Sequence, residues 1–197
     1  CTLGPASLTP QIVRRLQESG VDLFRLNLSH TPVEKIEALV HLVRAHSDVP
    51  ICLDTQGAQV RTGLFQDGEV TLESGVIVEL VTATELGDST KVPLYPSTIL
   101  PQLAVGDLLT LDTLAVPLLV VQIEGQWKAR VVNGGPVGSN KAVSVDRPIK
   151  LDHLTVSDRA AVELGKRLGI KHFALSFANR RDDVLSLREM VGKDAHV

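Results

Sequence analysis

The feature that most constrains this chain is a change of hydrophobic period. From Thr9 to Asp54, stretches with helical spacing alternate with short continuous apolar runs. From about Leu64 to Pro148 there is no helical stripe, only short β-type runs broken by Gly, Pro and Asp-Gly turns. From Thr155 the helical period returns. Strands alternating with helices predict a parallel sheet with right-handed crossovers. The interruption predicts a small all-β domain inserted between two parts of it, with limits at 1–63, 64–148 and 149–197. Aromatics are only 3% of the 197 residues. The core is therefore aliphatic, which suits parallel strands covered by helices.

Local signals fill in this outline. Thr9-Pro10 predicts a helix start, with Ile12, Val13 and Leu16 as its stripe and Gly20 as its stop. Val21 to Leu28 reads as a strand. Thr31 to Glu34 has the spacing of a capping box, opening a helix that buries Val33, Ile36, Leu39, Val40 and Val43. Val49 to Leu53 is a strand ending in Asp54. The β runs expected in the insertion are Val70–Leu72, Val76–Val81, Leu108–Leu111, Leu118–Ile123 and Trp127–Val132. Thr155 is the expected cap of a helix ending at Gly169, His172 to Phe177 a further strand, and Asn179 the cap of a last helix.

Composition excludes several classes. The net charge of −3, without a basic block, argues against a nucleic-acid surface. No apolar run reaches the roughly 18 residues of a membrane span, and the start has no signal-peptide pattern. Two cysteines, Cys1 and Cys52, are too few for a disulfide framework and fit a reducing cytoplasm. The absence of a starting Met leads us to expect that the natural N-terminus lies upstream.

Four stretches carry residues able to do chemistry. In Phe24 to His30, alternation puts Arg25, Asn27 and Ser29 on one face of a strand end, a guanidinium beside amide and hydroxyl oxygens. Such a set suits a phosphate or carboxylate and a hard cation; a solvated strand end with a structural salt bridge fits it too. Asp54-Thr55-Gln56-Gly57 follows the next strand, with Arg61 able to aim back at the same pocket, and also reads as an Asx-type turn. In Gly134 to Lys141, glycine-freed amides and one lysine suit phosphate, although a plain hairpin connection uses the same residues. Ser176 is a fourth polar residue at a strand end. The histidines form no metal cluster; His41 and His46 lie five apart without an acidic partner at ligand spacing.

Taken in order, these stretches resemble the pyruvate kinase family. Cys1 to Ser7 is similar to its first strand and turn, Arg25 to His30 to its RLNFSH motif and Leu53 to Gly63 to LDTKGPEIRTG. Gly138 to Lys141 resembles its GSKK loop, and Ser176-Phe177 stands where the family has ASF. The resemblance implies an α/β fold: about four strands of a (β/α)8 TIM barrel, with a small barrel-like β lid domain inserted. It implies a glycolytic transferase that moves phosphate from phosphoenolpyruvate to ADP, giving ATP. It further implies Mg2+, K+, a cytoplasmic location and a homo-oligomer, a tetramer in the family, with neither nucleic acid nor membrane as partner. By resemblance Arg25 and Ser176 bind substrate. His30, Arg61 and Lys141 face nucleotide and phosphate, and Asn27, Ser29, Asp54 and Thr55 hold a potassium-like ion. The family's acid–base lysine and Mg2+ ligands fall beyond Val197, so no catalytic residue is expected within this chain and the stretch alone is expected to be inactive.

The departures lie at Gln56 and Gln59, where the family carries charges, and Gln59 bears on the K+ expectation. The lid's Asp-Asp-Gly turn stands here as Asp112-Thr113-Leu114. These lost charges motivate a second reading, a non-catalytic binding or regulatory module of the same family. A lyase on a related barrel is a third, against which the β insertion speaks. A half barrel leaves an open sheet edge and an exposed apolar face, so a longer natural chain or a partner chain is expected.

Overall fold

The computed structural model describes residues 1–112, 116–122 and 125–197. Two compact units result, Cys1–Ala58 with Asp152–Val197, and Gln59–Leu151. The expected limits at 64 and 148 fall inside the second unit. Among the described residues, no helix is long and apolar enough to cross a membrane.

The first unit is α/β. Strands β1 (Thr2–Leu3), β2 (Phe24–Asn27) and β3 (Ile51–Asp54) alternate with helices α1 (Pro10–Glu18) and α2 (Val33–Arg44). Helix α3 (Val156–Arg167), a strand at His172–Ala174 and helix α4 (Arg181–Val191) complete it. The strands form one parallel sheet in the order β1, β2, β3, His172–Ala174. Register places Leu3, Leu26, Leu53 and Phe173 in one cross-strand row, all 5% exposed or less. That row joins Ile36, Val40, Val43, Ala161, Val162 and Leu187 of the helices in the core. The next residue along each strand points the other way. Thr2, Arg25, Cys52 and His172 thus make a second row, and Asn27, Asp54 and Ala174 a third. The face turned from the helices is therefore largely polar, not the apolar face expected of a half barrel. Beyond α4, His196 bridges His172 in parallel, and their rings stack with centroids 5.0 Å apart.

Helix ends follow local chemistry with two corrections. Thr9 and Thr155 cap α1 and α3 through their hydroxyls, accepting from Ile12 N at 3.4 Å and Asp158 N at 3.0 Å. Thr31 does not cap α2. The helix starts at Val33 with Pro32 as N-cap and no side-chain cap bond. The proline's fixed φ shifts the start by one residue and leaves Thr31 outside it. Asn179 does not cap α4 either; Asp183 accepts from the Asn179 and Arg180 amides at 3.1 and 3.0 Å. In α1 only Val13 of the expected stripe is buried, and Ile12 is 37% exposed.

The second unit is all β apart from a 3-10 turn at Ser97–Gln102. Its strands are β4 (Val60–Thr62), β5 (Glu69–Leu72), β6 (Ile77–Thr82), β7 (Lys91–Tyr95), β8 (Leu108–Leu111), β9 (Val116–Gln122), β10 (Trp127–Val131), β11 (Gly135–Gly138) and β12 (Ala142–Val145). Counting these, the strand at His172–Ala174 is β13. Seven of the strands close a barrel in the order β10, β6, β7, β4, β12, β8, β9, while β5 and β11 pair separately. Strand β4 belongs to this unit because it pairs with both β7 and β12. The barrel interior is aliphatic, with Leu94, Leu109, Leu111, Leu118 and Ala129 fully buried. Thr113 and Leu114 of the expected turn, and Ile123 of an expected strand, lie outside the described residues.

Candidate active site

The C-terminal ends of β2, β3 and β13 collect a hydrogen-bonded cluster whose hub is Asp54. Its side chain is 6% exposed, while that of Arg25 is 38% exposed. Arg25 sits two residues back in register on the neighbouring strand, opposite Cys52, and its Nε donates to Asp54 Oδ2 at 2.9 Å. Nη2 of Arg25 donates to the same oxygen. The other carboxylate oxygen, Oδ1, accepts from Ser176 Oγ at 3.0 Å. Arg25 Nη1 reaches across to Thr2 Oγ1 at 2.8 Å. Thr55, buried behind Asp54, accepts from Ser176 N at 3.1 Å, and its own amide donates to Ala174 O at 3.0 Å. The bonds tie three strands together through side chains that are not apolar, and each buried polar group has a partner.

The neighbouring turn is built from Leu28 to His30. Strand β2 stops at Asn27, so Ser29 lies on a turn and not on the strand face expected for it. Asn27 Oδ1 accepts from Ser29 N at 2.9 Å, an Asx-type turn. His30 N donates to Asn27 O at 3.1 Å, and the His30 side chain is exposed. Gln56 Nε2 donates to Leu28 O at 3.0 Å, tying this turn to the loop after β3. Ser176 stands two residues past β13, in a turn completed by Phe177 at φ 55°.

Gly57 is the position where geometry leaves no choice of residue. Its φ is +70°, and a Cβ placed there would sit 2.0 Å from the Ser176 carbonyl oxygen. The loop after β3 thus packs backbone to backbone under the loop after β13.

The oxygen set at Asn27, Ser29, Asp54 and Thr55 suits a hard cation of low charge, since it holds one carboxylate and otherwise neutral oxygens. Among the described residues no group of three or more His, Cys, Asp or Glu is placed to hold a metal. Cys52, one residue pair away from Asp54 on the same face, is buried. Burial pushes its thiol up, the nearby Asp54 charge adds to this and Arg25 opposes it.

Arg61 and Lys141 belong to the β unit. Arg61 Nη1 donates to Asn140 O at 2.7 Å, and burial pushes its guanidinium down from its ordinary value. Lys141 Nζ pairs with Asp112 Oδ2 at 3.2 Å. Of the two readings of Gly134 to Lys141, the bonds described are those of the hairpin connection. Gly135–Gly138 is strand β11, and the amides of Gly134, Ser139 and Lys141 donate to Ser74 Oγ, Gly68 O and Thr62 Oγ1 at 2.7–2.8 Å. Gln59, first residue of the same unit, buries its Oε1 without a hydrogen-bond partner.

Two members of the cluster carry weak sequence signals. Thr2 lies on a two-residue strand too short for a periodic signal and expected only from the likeness of Cys1 to Ser7 to the family's first strand. Asp158 contributes from α3, and its only sequence signal is the Thr155-x-x-Asp158 spacing of a capping box. A cavity of about 470 Å³ lies elsewhere, at the N-terminal ends of β3 and β13, lined by Arg44, Asp48, Lys171 and His172 among others.

Fold and cluster define an α/β protein that carries an arginine–aspartate–serine network at the C-terminal ends of its parallel strands. The sequence profile of the family described as "Pyruvate kinase, barrel domain" matches residues 1–197, and the chain belongs to the pyruvate kinase family. It is 32% identical to pyruvate kinase from Methylorubrum extorquens, over 100% of this chain and 42% of that protein. It is 32% identical to pyruvate kinase from Geobacillus stearothermophilus, over 100% of this chain and 35% of that one. With the pyruvate kinase of Clostridium acetobutylicum it shares 33% identity, over 98% and 42%. The chain thus spans 35–42% of the length of these relatives.

Proposed function

We propose that this chain supplies one half of the active site of a pyruvate kinase-like phosphotransferase, acting on phosphoenolpyruvate and ADP. The observation that carries the reading is the Arg25–Asp54–Ser176 network at the C-terminal ends of parallel strands, the end of an α/β barrel where active sites form. Phosphoryl transfer is mostly positioning and charge stabilisation. Three of the five N–H donors of Arg25 are engaged by Asp54 and Thr2, and the remaining two suit a phosphate. Ser176 lines the substrate side. Asn27, Ser29, Asp54 and Thr55 would hold a K+ ion, which places positive charge beside the phosphate. His30, Arg61 and Lys141 are assigned to nucleotide and phosphate by family likeness. Mg2+ and the acid–base lysine belong, on this reading, to barrel strands past Val197 that complete the (β/α)8 barrel, and the working protein is a cytoplasmic homo-oligomer.

Turnover of phosphoenolpyruvate and ADP by the full natural chain, and none by residues 1–197 alone, is the expected result. Turnover by the 197-residue stretch would overturn the division of labour. Binding of phosphoenolpyruvate by the full natural chain without turnover would favour the non-catalytic module that the uncharged Gln56 and Gln59 suggest.

A further inference from the structure

Asp158 lies in the first turn of α3, yet two of the three bonds of its carboxylate are made elsewhere. The residue is 0% exposed. Its Oδ2 accepts from Thr155 N at 2.9 Å, the reciprocal half of the capping box. Its Oδ1 also accepts from Gln56 N at 2.7 Å, and Oδ2 from Gly57 N at 3.2 Å. A helix cap requires only the first of these bonds. The other two reach back about a hundred residues in sequence, to the loop that follows Asp54 and Thr55. A buried carboxylate is costly unless its lone pairs are filled, and one backbone amide at the helix start and two from the loop after β3 fill them. The same loop runs under the Ser176 carbonyl at Gly57, where no side chain fits.

We infer that Asp158 is a positioning residue for the proposed site. It fixes the Gln56–Gly57 backbone, and through it the placement of Asp54 and Thr55 against Arg25 and Ser176. The ligand side of this inference rests on the proposed function; the pinning of the loop does not. Asn cannot replace Asp158, because it offers one acceptor oxygen where three amides converge on two. Thr155 separates the two roles. Its hydroxyl accepts from Asp158 N, so Thr155→Val removes that half of the cap and leaves the three carboxylate bonds in place.

The test compares Asp158→Asn, Asp158→Glu and Thr155→Val in the full natural chain. Amide hydrogen exchange of a peptide spanning Thr55–Gly57 and calorimetric binding of phosphoenolpyruvate are the readouts. Asp158→Asn is expected to speed exchange there at least about ten-fold. It should also weaken phosphoenolpyruvate binding by about 10- to 100-fold, the scale for residues that orient a ligand-binding group. Thr155→Val should do neither, although both variants weaken α3. If Asp158→Asn does not fold, Asp158→Glu, which keeps the charge but displaces it, should show the same two effects to a smaller degree. Native exchange in the Asp158 variants, unchanged binding, or an equal loss of binding in Thr155→Val would overturn the inference. Wild-type protein that binds no phosphoenolpyruvate would overturn the proposed function, with the exchange result still deciding whether Asp158 pins the loop.

Discussion

Gly57→Ala tests the close approach beneath the candidate site. Alanine at φ +70° costs about 1–2 kcal/mol by backbone sterics alone. Its Cβ would also lie 2.0 Å from Ser176 O and 2.7 Å from Ser176 C, where real Cβ contacts stay beyond 3.0 Å. The obstacle is backbone, so no rotamer relieves it, and the two loops must part by about 1 Å. That separation strains Ser176 N to Thr55 Oγ1, Ser176 Oγ to Asp54 Oδ1 and Gly57 N to Asp158 Oδ2. A neutral hydrogen bond contributes about 1 kcal/mol and one to a carboxylate about 1.5–3 kcal/mol. Together with the backbone term, a loss of about 3–5 kcal/mol is expected. Helices α1 to α4 all lie in the first unit, so far-UV circular dichroism in urea reports on it, and its midpoint should fall by more than about 1 M. Fluorescence of Trp127, the single tryptophan, shows in parallel whether the β unit stays folded. Gly57→Asn separates the causes, because asparagine tolerates the left-handed region but still carries a Cβ. It should be nearly as harmful as alanine. Stability within about 0.5 kcal/mol of wild type for either variant would refute the reasoning.

Three further outcomes are expected. Gly165→Ala should gain about 1 kcal/mol of helix propensity. It should lose more by overpacking, because the new Cβ falls 2.6 Å from Leu53 Cδ1; a net loss of about 1 kcal/mol by urea denaturation is expected, and a gain would contradict it. In the β unit, the hydrogen bond from Arg147 holds the Asp107 carboxyl below its ordinary value of 3.8, with burial opposing and the Ala104 amide assisting. A lowered folded value means that this stabilisation is present above 3.8 and is lost as pH falls through the lowered value. Arg147→Leu should therefore lower the urea midpoint at neutral pH and flatten its acid limb, measured by Trp127 fluorescence. Exposed Cys1 should react at once with a thiol reagent, and buried Cys52, its thiol pushed up by burial, only on unfolding.

What the sequence makes legible here is periodic. The stripes of α2 and α3, the apolar run of β3 and the alternation of β8 and β9 are all visible because their burial repeats with the element. Short elements escape. Strand β1, two residues long, has no period of its own and is expected only from the family likeness of Cys1 to Ser7, and β7 carries Pro93, which reads as a strand breaker. The Pro93 carbonyl still accepts from Gly63 N at 2.8 Å, and the missing amide is tolerated in the barrel. Strand β11 is Gly-Pro-Val-Gly, and only its pairing with β5 makes it a strand. In the site, Arg25, Asp54 and Ser176 stand out as polar residues at strand ends, but that one carboxylate joins the other two is a product of register. The second role of Asp158 is invisible from sequence, because it depends on the start of α3 lying beside a loop distant along the chain.

On the proposed function, Arg25, held by Asp54, receives the phosphate of phosphoenolpyruvate. The most direct measurement is calorimetric titration of phosphoenolpyruvate into the full natural chain and into its Arg25→Gln variant. At least about ten-fold weaker binding is expected in the variant, the loss of one charge-assisted contact of about 1.5–3 kcal/mol. Equal affinity in the two proteins would contradict it.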